Sequence, residues 1–302
     1  MSAPDDHSAD VFVRHRGLLF SIAYEITGSV ADTEDVLQDS YLRWARVDPA
    51  TVDDPRAYAA QIVTRQALNA LRAAQRRRED YVGPWLPEPL LAMPDGTDSV
   101  ELAESVSMAM LLVLETLGPT ERAVFVLREV FGFGYREISE TVGRTEQSVR
   151  QIAHRARAHV QTRRRRFTPA SDETTRIVGE FFTAVTTGDL DTLVTMLAAD
   201  AVYVADGGGR ATAARVPIHG GRTLARLFAG MIRKPLPDMT IEAAEVNGLP
   251  GTLVFSAARL DLVFAFGIDD GLVTTVYAIR NPDKLAHLHR DAHLTRDAHG
   301  RP

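Results

Sequence analysis

The sequence predicts a multidomain chain: two all-α domains, the second a helix-turn-helix, then an α+β domain built as a cone wrapped by a curved sheet. Three observations carry this. Apolar residues recur at helical spacing through residues 8–166, without a repeat or a low-complexity tract. Four β-rich runs follow one another from Met239, divided by turn signals such as Asn247-Gly248 and Asp270-Gly271. Helical segments come before those runs from residue 170 onward, and helices followed by a strand meander favour an α+β layer architecture.

The elements follow in order. Phe12, Leu18, Leu19, Ile22, Ala23 and Ile26 form one stripe, ended at Gly28. The segment SVADTEDVLQDSYLRWAR is a second helix, with Val36, Leu37, Tyr41, Leu42 and Trp44 apolar and Asp35, Gln38 and Asp39 outward. Asp54-Pro55 supplies an N-cap and a first-turn proline for a third helix, RAYAAQIVTRQALNALRAAQRRR, basic on its far side. These make a domain over 8–80. An acidic linker, 81–104, separates it from a second helical domain, 105–166. There Pro119 opens a helix whose Val124, Leu127, Val130 and Phe131 recur until Gly132 stops the run. Tyr135, Ile138 and Val142 mark a short helix, Gly143 a tight turn, and Thr145 the cap of the next.

That last helix packs by Val149, Ile152, Ala153, Ala156 and Val160 and presents Gln147, Ser148, Arg150, Gln151, His154, Arg155 and Arg157. Residues 144–166 hold eight arginines (144, 150, 155, 157 and 163–166) against one acid, Glu146. A solvated helix usually mixes signs; this one is suited to a major groove, with Arg163–Arg166 adding sequence-independent attraction to phosphates.

In the domain over 170–290, TRIVGEFFTAVTTG and GDLDTLVTMLAAD read as helices, Ala201–Ala205 as a short strand and HGGRTLARLFAGMIRK as a third helix. The strand runs are Met239–Val246, Gly251–Ala258, Leu260–Ile268 and Leu272–Ile279, and residues 291–302 form a polar tail.

The net charge is −6, so the basic surfaces are offset elsewhere. Seven acids in 28–54 give way to six arginines and no acid in 55–78, then to seven acids and no Lys or Arg in 79–104. Alternation on this scale suits surfaces that meet different partners. There is no cysteine, which excludes disulfides, thiolate nucleophiles and Cys-ligated zinc. No apolar run approaches membrane-spanning length, and MSAPDDHSAD lacks the basic and apolar regions of a signal peptide, so a cytoplasmic protein is expected. Asp206, His219, Asp238, Asp261, Tyr203 and Tyr277 show no spacing that demands acid–base chemistry, and turn and cap roles suit Asp206 and His219. His287, His289, His293 and His299 lack acidic or Cys partners at ligand spacing, so neither metal nor cofactor is expected.

The pairing of an acidic helix containing DTEDVLQDSYLRW with a basic one containing QIVTRQALNALRAAQRRR resembles region 2 of sigma-70 factors. TERAVFVLREVFGFGYREISETVGRTEQSVRQIAHRARAHV is similar to region 4 of the same family. Both occur in order over about residues 8–166, with no room for other sigma regions, as in the small extracytoplasmic-function class. The rest resembles a SnoaL-like, NTF2-superfamily domain, and WLPEP, DGGGR and NPDKL resemble the signature of sigma factors with that extension, the sigma J type. The family's usual residue after the glycines is Lys; Arg210 keeps the charge with a different geometry.

The resemblance implies a non-enzymatic, promoter-directing subunit of bacterial RNA polymerase, controlled by its own C-terminal domain. It implies that Asp35, Gln38 and Asp39 bind core polymerase. Arg56, Arg65, Asn69 and Arg72 would hold the −10 element, with a base pocket at the loop Ala45–Asp54. Gln147, Ser148, Arg150, Gln151, His154, Arg155 and Arg157 would meet the −35 element. Trp85 is a large apolar residue in an acidic segment that Pro87 and Pro89 keep extended. Trp85, Leu86, Pro87, Glu88 and Pro89 are therefore expected to dock on Asp206, Gly207, Gly208, Gly209 and Arg210 and on Asn281, Pro282, Asp283, Lys284 and Leu285. Arg210 and Lys284 would pair with Glu88 and other linker acids. Two other readings stay open: a helix-turn-helix regulator acting without polymerase, and a bifunctional protein whose cone binds or turns over a small molecule.

Overall fold

Polar caps and left-handed glycines cut the N-terminal part into helices where the sequence places them. The computed structural model describes residues 11–48, 51–91, 107–163, 170–231 and 238–288. The expectations for Arg164–Arg166, residues 92–104, His289, His293, His299 and the tail 291–302 lie outside the described residues. Helix α1 (Arg16–Thr27) closes on Gly28 at φ 69°. Ser29 accepts from the Asp32 N–H to open α2 (Val30–Trp44), and Asp54 accepts from Ala57 to open α3 (Pro55–Arg78). Leu19, Ile22, Ile26, Val36, Leu37, Trp44, Val63, Leu68 and Leu71 close the core between them. Leu42, read as apolar packing, instead faces out at 54% exposure.

The helix-turn-helix comprises α4 (Met108–Leu114), α5 (Pro119–Phe125), α6 (Tyr135–Val142) and α7 (Glu146–Arg163). Where the spacing predicts one regular helix through Phe131, a π-helical turn covers Val126–Val130, with the Phe131 N–H on the Val126 carbonyl at 3.2 Å. Gly143 turns the chain at φ 65°, and Thr145 caps α7 through the Ser148 N–H at 3.2 Å. Val149, Ile152, Ala153, Ala156 and Val160 are all buried. Helices α1–α7 share one apolar core and form one compact unit.

A charged cluster lies inside that unit. Arg122, at 1% exposure, donates to the Glu25 carbonyl at 2.7 Å and to the Glu115 carboxylate, which also receives Arg78. The Glu25 side chain is fully buried, and among the described residues neither of its carboxyl oxygens has a hydrogen-bond partner. Burial pushes its carboxyl up to about 8, against the pull of Arg122.

The second unit is a six-stranded mixed sheet with helices α8 (Asp172–Thr187), α9 (Leu190–Met196) and α10 (Gly221–Met231). Strands β1 (Leu197–Asp206), β2 (Ile218–His219), β3 (Thr240–Val246), β4 (Leu249–Ser256), β5 (Arg259–Asp269) and β6 (Leu272–Ile279) run in the order β2-β1-β6-β5-β4-β3. Only β1 and β6 are parallel. Asn247-Gly248 and Asp270-Gly271 take positive φ at both positions, the mirror-image turn that suits strand twist. Two expectations are corrected here. Strand β1 begins at Leu197, because Leu197 pairs with Val273 and takes the residues assigned to the preceding helix. His219 opens no helix; it pairs with Val202 in β2. Phe181 and Phe182 of α8, Phe228 of α10, Phe264 and Phe266 of β5 and Tyr203 of β1 fill the interior ring against ring. Burial pushes the Tyr203 phenol up to about 12.

Residues 80–91 belong to this second unit, so its sequence is discontinuous.

Candidate nucleic-acid interface and linker dock

On α7 the apolar stripe fixes which side chains remain outside. Gln147, Arg150, Gln151, His154, Arg155 and Arg157 are exposed and Ser148 is half-buried, on the side away from the core. Arg150, Gln151, His154 and Arg155 line one shallow, open cleft. Arg157 is already occupied: its Nε and Nη2 donate to Glu129 at 2.9 and 2.6 Å.

On α3, Arg65, Asn69 and Arg72 share an exposed face, with Arg56 exposed at the helix start. Arg65 is engaged in a way its sequence position does not suggest. It donates to the carbonyls of Glu140 at 2.7 Å and Thr141 at 3.2 Å, the unsatisfied C-terminal end of α6. Beside it lies a cleft of about 340 Å³ lined by Thr51, Val52, Asp53, Asp54 and Tyr58 and by Phe133, Glu137 and Glu140. This is the end of the loop assigned to a base pocket. Its four carboxylates oppose a phosphate backbone in the conformation described.

Asp35, Gln38 and Asp39 are exposed on α2, opposite the buried Thr33, Val36, Leu37 and Ser40. Leu42 continues their face one turn on.

The linker is built into the C-terminal unit around one carboxylate. Asp206, wholly buried at the end of β1, accepts from the Tyr81 hydroxyl at 2.5 Å, the Leu86 N–H at 2.8 Å and Lys284 Nζ at 2.7 Å. Lys284, at 5% exposure, also donates to the Leu86 carbonyl and sits 3.9 Å from the centroid of the Trp85 ring. Asn281 donates to the Tyr81 hydroxyl at 2.9 Å. Gly208, at φ 56°, lies so close that a Cβ there would stand 2.2 Å from Asn281 Nδ2 and 3.0 Å from that hydroxyl. Gly207 has no more room: its Cβ would meet the Ala211 carbonyl at 2.4 Å. Leu86, Pro87, Glu88, Pro89 and Leu285 are buried, and Pro282 is exposed. Further along, Leu90 and Asn247 exchange two hydrogen bonds, Leu91 bridges Val246, and His287 contacts the Pro89 carbonyl at 2.8 Å.

The ion pairs of the dock differ in kind. Lys284 pairs with the wholly buried Asp206. Arg210 pairs with Asp283 at 3.0 Å in solvent, a contact worth about 0–1 kcal/mol. Asp206 is neither turn nor cap, and His287 lies in a helical stretch over 282–288. The sequence reading missed Tyr81, Leu90, Leu91, Asn247 and His287. For Tyr81 the signal was present: a second aromatic four residues before Trp85 in the same acidic segment.

Residues 11–77 match the family model of Sigma-70 region 2, and residues 107–160 that of Sigma-70, region 4. The chain is similar to the ECF RNA polymerase sigma factor SigJ of Mycobacterium tuberculosis, with 36% identity over 88% of this chain and 89% of that protein. It is similar also to the probable ECF RNA polymerase sigma factor SigI of that organism, at 31% identity over 94% and 97% of the two chains. The crystal structure of Mycobacterium tuberculosis SigJ aligns with a TM-score of 0.74 at 30% identity, over 92% of this chain and 98% of that one. With both sigma-70 regions in order and similarity over nearly the whole of both chains, this chain belongs to the extracytoplasmic-function RNA polymerase sigma factors, with an α+β domain added at its C-terminal side.

Proposed function

We propose that the chain directs core RNA polymerase to its promoters and that its C-terminal domain governs this through the docked linker. The observation that carries the control is the buried Asp206–Lys284 pair, because both of its members also bind the linker main chain at Leu86. The three motifs thus act as one contact. On this reading Arg150, Gln151, His154 and Arg155, with Gln147 and Ser148, meet the −35 element, while Arg157 chiefly anchors α7 to Glu129. Arg56, Asn69 and Arg72 serve the −10 element, and Arg65 joins them once released from Glu140 and Thr141. The chain works in the cytoplasm, where polymerase is. Transcription in vitro by the full chain with core polymerase on a pool of genomic fragments tests the reading. Failure to co-purify with core polymerase would favour a free-standing helix-turn-helix regulator.

Asp35, Gln38, Asp39 and Leu42 make an acidic face with one apolar residue, suited to a basic protein surface. Asp35→Lys with Asp39→Lys is expected to abolish pull-down of core polymerase at physiological salt while circular dichroism stays unchanged, since both residues are exposed. Undiminished pull-down would remove these residues from the interface.

The cone is a docking domain on this reading rather than a catalyst. Six aromatic rings occupy its interior, and the carboxylate best placed for chemistry, Asp206, is committed to Tyr81, Leu86 and Lys284.

A further inference from the structure

We propose that Tyr135 is a positioning residue for promoter reading, its ring holding the guanidinium of Arg150 in the orientation that meets a base edge. The inference rests on the reading above that Arg150 touches DNA. The guanidinium carbon of Arg150 lies 4.6 Å from the centroid of the Tyr135 ring, and that of Arg128 lies 4.4 Å from the same centroid. Arg128 comes from the π-helical turn and donates to the Phe133 carbonyl at 2.8 Å, which ties it to the backbone just before α6 begins. A chain of contacts results: the turn fixes Arg128, Arg128 backs the ring, and the ring sets Arg150 on the neighbouring helix. The π-helical turn closes the helix begun at Pro119, and π-helical turns are frequent at functional sites.

Geometry explains why a ring is the suitable holder. Stacking engages the face of a guanidinium and leaves its N–H edge free, and that edge is what reads guanine in two parallel hydrogen bonds. Arg157 is more fully engaged, giving both Nε and Nη2 to Glu129 where Arg150 gives only Nη2, to Glu146. The other restraint on Arg150, its pair with Glu146, is open to solvent on both sides and exchanges easily for a base. An arginine already stacked loses less rotamer freedom on binding than one that is free.

The full chain bound to core polymerase is assayed on a promoter carrying each single base change in the −35 element. Arg150→Ala is expected to lose about 5- to 150-fold discrimination at one base position, the range for a bidentate contact. Tyr135→Leu is expected to lose most of the same discrimination at the same position, Tyr135→Phe to retain it, and Tyr135→Leu combined with Arg150→Ala to fall no further than Arg150→Ala. Arg128→Met keeps the ring but removes its second cation and is expected to lose at least a few-fold there, which serves if Tyr135→Leu does not fold. The inference is overturned if Tyr135→Leu or Arg128→Met discriminates as the parent does, if Tyr135→Phe falls with Tyr135→Leu, or if the double variant is additive. Should Arg150→Ala itself leave discrimination intact at every position, the DNA-reading role of Arg150 fails first. Loss in Arg150→Ala with Tyr135→Leu unaffected removes the present inference alone.

Discussion

Lys284→Met should undock the linker and destabilise the C-terminal unit by about 3–5 kcal/mol, the cost of leaving a buried charge without its partner. Asp206 stands at 0% exposure, and without the ammonium its carboxylate retains two neutral donors, the Tyr81 hydroxyl and the Leu86 N–H. Hydration of that carboxylate requires the linker to lift away, so undocking relieves the cost. Trp85 reports the event, since it loses the cation over its ring; placing the change in a Trp44→Phe background leaves it as the one tryptophan of the chain. Its emission should shift to the red, residues 80–91 should become cleavable by protease, and transcription from the chain's own promoters should change. Asp206→Asn alone strands Lys284 in the same way. The double variant Asp206→Asn with Lys284→Met should recover part of the loss, because no buried charge is then uncompensated. Unchanged Trp85 emission in Lys284→Met would show that the apolar contacts of Leu86 and the prolines hold the linker by themselves.

Glu25→Gln should remove a pH dependence from the helical unit and stabilise it in alkali. Burial raises the Glu25 carboxyl from 4.5 to about 8, so the native state holds a proton that the unfolded chain gives up. Stability from this group is complete below about pH 4.5 and is lost as pH rises through about 8. The Arg122 guanidinium opposes the shift, but Arg122 is shared with Glu115, which Arg78 also contacts. A displacement of this size is worth about 3–5 kcal/mol between the two limits. Urea unfolding followed by far-ultraviolet circular dichroism from pH 5 to 9 should show the parent losing stability and Glu25→Gln losing less, with the variant the more stable at pH 9. Parallel curves would mean that the carboxylate is not held in its neutral form.

Much of this architecture was legible because its punctuation is local. Gly28, Gly143, Asn247-Gly248 and Asp270-Gly271 carry positive φ where the sequence puts turns, and Ser29, Asp54, Thr145 and Asp189 cap the helices they precede. The start of β1 was not legible. LAADAVYVAD has an apolar pattern that fits the tail of a helix, and only its pairing with β6 makes Leu197 a strand residue. Nor was the π-helical turn, since Val126 and Leu127 are buried with or without the extra residue. In the dock, opposite charge pointed Lys284 at Glu88, and its pairing with Asp206 of the neighbouring motif went unread. The linker supplies a carbonyl, an N–H and two rings, which charge counting does not register. Arg65 escaped for the same reason, its partners being main-chain oxygens.

The separation along the chain between linker and dock also sets an order of events during synthesis. Lys284 follows Leu86 by 198 residues. At roughly 5–20 residues per second, the linker leaves the ribosome on the order of 10–40 s before the residue that binds it. Region 2 is already made by then, region 4 is made within that interval, and among the described residues their shared core includes none after Val160. The nascent chain therefore passes through a stage in which the promoter-reading helices can fold while Trp85 and Leu86 have no dock. The few residues from Asn281 to Leu285 bring that stage to an end.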